Sequence, residues 1–154
     1  MDAKSRALLH KVLKDNGLSL TMQRQLLCDL LWQREPISMA ELTILAHDAI
    51  DRTSLYRTVQ LFERLGLVHR VHIGWKYKIE LSDVFMHHHH HIVCIQCGKI
   101  AAVAEDAEIE QLITKLTVRY GFEPRDHQLE ISGVCAECRL KDSRPELTNN
   151  RTPE

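Results

Sequence analysis

Residues 38–66 read Ser38-Met39-Ala40-Glu41-Leu42-Thr43-Ile44-Leu45-Ala46-His47-Asp48-Ala49-Ile50-Asp51-Arg52-Thr53-Ser54-Leu55-Tyr56-Arg57-Thr58-Val59-Gln60-Leu61-Phe62-Glu63-Arg64-Leu65-Gly66. Two helices joined by a short connection are written into this stretch. Ser38 and Glu41 have the spacing of a capping box, with Leu42, Leu45 and Ala46 turned inward behind it. Asp51 or Thr53 can cap the next helix, which puts Leu55, Val59 and Phe62 on one face and ends at Gly66. Upstream, Thr21 can cap a helix striped by Leu26, Leu27, Leu30 and Leu31 and closed by Pro36. Before it, Leu8, Leu9, Val12 and Leu13 make a first helical stripe that stops at Gly17. Downstream, the strand-like runs Leu67–His72 and Trp75–Leu81 flank Ile73-Gly74 and suggest a hairpin. Helices followed by a hairpin look like a helix-turn-helix with a wing.

In that arrangement the fourth helix would enter a DNA major groove. Its side chains Arg52, Thr53, Ser54, Tyr56, Arg57 and Thr58 read as its outward face. Arginine bonds phosphate or guanine, hydroxyls bind phosphate, and a tyrosine offers polar or methyl contacts. A solvated helix face would carry the same residues.

The second half carries a different chemistry. Cys94-x-x-Cys97 and Cys135-x-x-Cys138 are separated by 37 residues. Each pair can set two thiolates on one tight turn, and two such turns complete a tetrahedral zinc site. Something folded must fill the gap. Ile109, Leu112, Ile113 and Leu116 make a helical stripe within Glu105–Tyr120, ended by Gly121, and Gln128–Ser132 reads as a strand leading to the second pair. The fifth cysteine, Cys28, falls in an apolar helix and reads as a small core residue.

Five histidines, His87 to His91, run directly into Ile92-Val93-Cys94. In a strand their side chains alternate, so His87, His89 and His91 face one way and His88 and His90 the other. One strand could thus serve two metal sites. His69, Glu80, Glu105, Glu108, Glu110 and His127 are available partners. Imidazole suits several divalent metals, so ligand type does not fix the ion.

The net charge of −1 hides two unlike halves. Residues 1–80 hold 12 basic and 9 acidic side chains, and residues 81–154 hold 8 basic and 12 acidic. A mildly basic reader beside an acidic, ligand-rich half fits that division. No 18-residue apolar run and no signal-peptide core occur, so the chain reads as cytoplasmic, without a membrane, where paired cysteines favour metal over disulfide. No His-Glu-x-x-His motif, phosphate loop or nucleophile elbow is present, which argues against an enzyme. A zinc-stapled metal-storage or interaction protein is the main alternative to a DNA-binding one.

Over residues 8–138 the motifs Thr21-Met22-Gln23-Arg24, Ser38-Met39-Ala40-Glu41-Leu42, Ser54-Leu55-Tyr56-Arg57-Thr58-Val59 and Gly66-Leu67-Val68 follow in order. They continue through the histidine run, Cys94-x-x-Cys97-Gly98-Lys99-Ile100, His127-x-Leu129-Glu130 and Gly133-Val134-Cys135-x-x-Cys138. This order and spacing resembles the ferric uptake regulator superfamily of bacterial metal-responsive repressors. The resemblance implies an α+β protein: a winged helix-turn-helix over residues 1–81, a hinge at 82–86, and a small α/β dimerisation domain over 87–140. It implies a homodimer that binds palindromic operator DNA when loaded with a regulatory divalent metal (iron, zinc or manganese). By resemblance Cys94, Cys97, Cys135 and Cys138 hold structural zinc; Glu80, His89 and His91, with His69 as in the zinc-sensing branch, form the regulatory site. His88, His90, Glu110 and His127 match a further site, and Thr21, Arg24 and the fourth-helix residues match the DNA-facing surface. Some relatives sense peroxide through iron-bound histidines. The sequence departs from the family where a ligand histidine usually precedes the third helix, here Pro36-Ile37-Ser38, and where a carboxylate usually follows the first cysteine pair, here Ala102. Residues 141–154 read as a disordered tail.

Overall fold

The computed structural model describes residues 1–142. Helix α1 (Ala3–Asp15) starts on Asp2, whose carboxylate accepts the Ser5 amide at 2.7 Å. Helix α2 (Met22–Leu31) is capped by Thr21, which accepts the Arg24 amide at 3.3 Å. Helix α3 (Met39–Ala46) has the reciprocal capping box: the Glu41 amide donates to Ser38 Oγ at 3.2 Å, and the Ser38 amide donates to Glu41 Oε2 at 2.9 Å. Helix α4 (Arg52–Arg64) takes Asp51 as its cap, which settles the choice against Thr53. Strands β1 (Val68–Ile73) and β2 (Lys76–Leu81) form an antiparallel hairpin, with Gly74 in the left-handed region at φ 57°. The turn is Gly74-Trp75, one residue later than the sequence suggested. Ile37 exchanges backbone hydrogen bonds with Ile79 at 2.9 and 2.8 Å, tying the α2–α3 connection to the hairpin.

The winged-helix core is dense. Leu9, Leu13, Leu27, Leu42, Leu55, Phe62, Leu67 and Ile79 are fully buried together, and Cys28 lies among them. Burial pushes the Cys28 thiol up to about 12, as expected of an inert core residue. At the α3 cap, Ser38 holds the Glu41 carboxyl below the usual carboxylate range. A lowered carboxylate stabilises the fold above its unfolded pKa, and that stabilisation disappears as pH falls through the folded one. Ser38→Ala should therefore cost about 1 kcal/mol near neutrality. Thermal unfolding should show the difference shrinking as pH falls below the ordinary glutamate value of about 4.3 and through the lower one that Glu41 has in the folded chain.

The second half is built on β3 (His89–Cys94), flanked by antiparallel β4 (Ile100–Ala104) and parallel β5 (Glu130–Gly133). A parallel partner needs a long crossover, and α5 (Ala107–Arg119), started by Asp106, supplies it. Helix α6 (Ala136–Asp142) closes the described chain. It runs through residues 141–142, where the sequence suggested a disordered tail; the rest of that stretch lies outside the described residues.

The expected helix is present as α5, but no α5 residue is buried within the chain, and Leu112 and Leu116 are exposed. One sequence expectation changes here. Thr58 was read as outward, but it is buried. It shares the inward face with Leu55 and Phe62, three and four residues away, and its hydroxyl donates to the Ser54 carbonyl at 2.7 Å. Thr58 is thereby withdrawn from any DNA-facing surface.

The 82–86 connection, expected as a hinge, is docked on the winged helix. Ser82 is buried, its hydroxyl donates to the Gly66 carbonyl at 2.6 Å, and its amide donates to Leu67 at 3.1 Å. Phe85 and Met86 pack against the helical core. Strand β1 also lies against β3 and β5, and the His72 amide donates to the Glu130 carboxylate at 3.2 Å. Among the described residues no helix is long and apolar enough to cross a membrane.

Candidate metal centres and DNA-reading helix

Three groups of donor side chains assemble in the second half and at its border with the winged helix. In the first, the β3 end and the turn after it bring Cys94 and Cys97, while the β5–α6 connection brings Cys135 and the first turn of α6 brings Cys138. Cys94 Sγ lies 3.9 Å from Cys138 Sγ, and Cys97 Sγ lies 3.8 Å from Cys135 Sγ. Disulfides need about 2.05 Å, so all four are free thiols. Four sulfurs at about 2.3 Å from a tetrahedral zinc would sit about 3.8 Å from one another, so the spacing fits that ion. The Cys135 amide donates to Cys94 Sγ at 3.3 Å and draws its thiol down to about 6. Burial pushes Cys138 up to about 12. A cation among the sulfurs would override that difference and hold all four as thiolates.

The other two groups lie on opposite sides of β3 and of His88 just before it, because successive residues of extended chain alternate. On one face His88 and His90 meet Glu110 from α5 and His127 from the α5–β5 connection. Glu110 Oε1 lies 3.0 Å from His90 Nε2 and 3.5 Å from His88 Nε2, while Glu110 Oε2 lies 3.3 Å from His127 Nε2. His88 Nε2 and His127 Nε2 are 3.1 Å apart. Donors about 2.1 Å from one ion stand roughly 3.0–3.4 Å apart, so these four nitrogens and oxygens already bracket a cation position.

On the other face Glu80 of β2 reaches across to His89 and His91. Glu80 Oε2 is 3.4 Å from His89 Nε2, and Glu80 Oε1 is 3.3 Å from His91 Nε2. Glu80 and His91 are buried, and His91 Nε2 makes no aligned hydrogen bond. An orphaned buried ring nitrogen beside a carboxylate fits a bound divalent ion. His69 stands opposite Glu80 in the hairpin and lines a cavity of about 10 Å³ beside this cluster, but it is not one of the converging donors. On the other side a cavity of about 350 Å³ is lined by Pro36 and Ala102. Ala102 pairs directly with His91 across β3–β4. The two sequence departures therefore fall on the open wall of this cluster, where neither residue offers a donor; Glu35 lines the same cavity.

Glu105 and Glu108, available partners by sequence, join neither cluster among the described residues, and His87 contributes only its carbonyl, which lies 2.9 Å from His89 Nδ1. Sequence reasoning missed Asp83. Its Oδ2 lies 2.5 Å from His88 Nδ1 and holds that imidazolium above the usual histidine range. The available signal was a carboxylate four residues before the histidine run.

On the winged helix, Arg52, Thr53 and Arg57 are exposed on α4, while Ser54 and Tyr56 are half-buried. The Arg52 guanidinium lies over the Tyr56 ring, 5.6 Å from its centroid. Thr21 is exposed at the α2 cap, and Arg24 donates to the Ser19 carbonyl, fixing the turn before α2.

The chain thus joins a winged helix to a small α/β unit, with three metal-type donor clusters in that unit and at its border with the hairpin. The ferric uptake regulator family matches residues 15–132, and the chain belongs to that family. It is similar to the ferric uptake regulation protein of Neisseria gonorrhoeae, 32% identical over 140 residues, covering 86% of this chain and 94% of that protein. Its fold is similar to the Vibrio cholerae ferric uptake regulator, whose structure shows a rearrangement of the DNA-binding domains (TM-score 0.66, 32% identity, 82% of this chain and 98% of that one). It is also similar to the Helicobacter pylori ferric uptake regulator, described with three functional metal binding sites (TM-score 0.70, 25% identity, 87% and 93% covered).

Proposed function

We propose that this chain is a metal-dependent transcriptional repressor that binds palindromic double-stranded operator DNA as a homodimer in the cytoplasm. One observation carries the reading: Glu80 belongs to the winged-helix hairpin, whereas His89 and His91 belong to the α/β sheet. An ion held by all three ties the DNA-reading half to the other half. In this reading residues 1–81 are the reader, 82–86 the connection, and 87–140 the dimerisation domain. Cys94, Cys97, Cys135 and Cys138 hold structural zinc, and iron, zinc or manganese serves as the regulatory ion at Glu80, His89 and His91. The His88, His90, Glu110 and His127 cluster takes a further ion. The exposed Leu112, Leu116 and Tyr120, which fall on one side of α5 and its C-cap, with Ile92 and Ile131 on the sheet, offer apolar surface for a second copy to cover.

The regulatory ion works by differential affinity. It binds the arrangement in which Glu80 meets the β3 histidines, so it favours the spacing at which two readers fit half-sites about one helical turn apart. Moving such an equilibrium from 1:99 to 99:1 takes roughly 5.5 kcal/mol of preference. Arg52, Thr53, Ser54, Tyr56 and Arg57 meet the DNA, with Thr21 and Arg24 at the flank. Tyr56→Ala and Arg57→Ala should each weaken DNA binding by about tenfold or more while the metal content stays unchanged. Fluorescence anisotropy with promoter DNA, alongside metal analysis, checks this; unchanged affinity in both variants contradicts the assignment of α4.

A further inference from the structure

Asp83 stands between the two histidine clusters. Its Oδ2 holds His88 Nδ1 at 2.5 Å, and its Oδ1 lies 4.0 Å from His89 Nδ1. His88 belongs to the cluster with His90, Glu110 and His127, and His89 belongs to the cluster with Glu80 and His91. The small cavity beside Glu80 has Asp83, His89, His91 and His127 in its wall, so both clusters border one space of about 10 Å³, room for about one water. Asp83 also follows Ser82, which is bonded into the winged helix through the Gly66 and Leu67 carbonyls at 2.6 and 3.1 Å.

We propose that Asp83 is a positioning residue that couples the two histidine clusters and passes the occupancy of the four-residue cluster to the winged helix. The chemistry is that of a carboxylate behind a ligating imidazole. Accepting the Nδ1 proton fixes the His88 tautomer, turns its Nε2 lone pair toward Glu110 and His127, and makes that nitrogen a better donor. An ion on Nε2 tightens the Asp83 contact in return, which holds residues 82–89 in place. His89 is then ordered before the second ion arrives, so the second binding costs less conformational freedom. The strand itself offers another route, because His88 and His89 are adjacent; Asp83 is the route that also reaches Ser82 and the reader.

The inference rests on both histidine clusters binding metal, and a double-mutant cycle on the full-length, zinc-stapled chain tests it. Manganese affinity is measured by titration calorimetry for wild type, Asp83→Asn, His127→Ala and the double variant, with nitrogen NMR of the zinc form reporting the His88 tautomer. Asp83→Asn should weaken the four-residue cluster about 10- to 100-fold. His127→Ala should lower affinity at the Glu80 cluster about fivefold or more in wild type and leave it unchanged in the Asp83→Asn background. Asp83→Glu, which keeps a carboxylate, should recover part of the coupling and guards against a folding defect as the explanation. Coupling that survives Asp83→Asn, or affinities that Asp83→Asn does not alter, overturns the proposal. A wild-type chain that binds no ion beyond the cysteine-held one overturns it by a distinguishable route, since the metal reading of the clusters then fails first.

Discussion

Replacing Cys94 with serine should release the zinc and unfold the α/β half while the winged helix remains folded. The two halves differ in what holds them. The winged helix buries a contiguous cluster running from Leu9 through Leu81. In the other half the buried hydrophobic residues, among those described, are Val93, Cys94 and Cys138, and α5 buries none of its own. So small a core cannot offset the entropy of ordering its chain, which is the situation in which a metal staple supplies the stability. Structural zinc contributes about 10–16 kcal/mol in isolated zinc-stapled peptides, as much as a typical domain's whole margin of about 5–15 kcal/mol. Amide hydrogen exchange should show β3, β4 and β5 losing protection while α1, α2 and α4 keep theirs, and metal analysis should show the zinc gone. A Cys94→Ser chain with wild-type protection in β3 and β5 would falsify the staple.

The second large effect is expected at His91. It is buried, its Nε2 lies 3.3 Å from Glu80 Oε1, and among the described residues no aligned hydrogen bond satisfies that nitrogen. With three converging side chains in this cluster among the described residues, removing one leaves two donors from separate elements, too few to hold the halves together. His91→Ala should abolish the metal-induced gain in DNA affinity, a loss of about 100-fold or more at saturating ion, without releasing the cysteine-held zinc. Anisotropy titrations with and without added metal measure it. A His91→Ala chain that still responds fully to metal would move the regulatory site elsewhere. The obvious second place is the cluster at Glu110.

Much of this was legible in the sequence because the signals were local. Capping residues at Thr21, Ser38 and Asp51 mark helix starts through bonds that span three residues. The alternation of His88 to His91 follows from strand geometry alone, and the structure separates these residues onto two clusters as that geometry requires. Paired cysteines likewise announce their own partners. What remained hidden depends on the rest of the fold. Strand β4, Ile100-Ala101-Ala102-Val103-Ala104, is too rich in alanine to declare itself, and it becomes a strand by pairing with β3. Thr58 looked available because a hydroxyl suits either face of a helix, and only packing with Leu55 and Phe62 turns it inward. The apolar stripe of α5 was visible, but periodicity does not say whether a face meets its own chain or another copy. Asp83 was passed over because its role depends on a turn that brings it back onto His88.

The central claim is that an ion joining Glu80 to His89 and His91 sets DNA affinity. Its most direct test is anisotropy titration of the full-length chain, carrying only its cysteine-held zinc, against DNA from its own promoter region. Iron(II), manganese(II) and zinc(II) are added separately at controlled free concentration. At least one of them should tighten binding by about 100-fold in wild type and leave His91→Ala unmoved. DNA affinity that none of the three ions changes would contradict it.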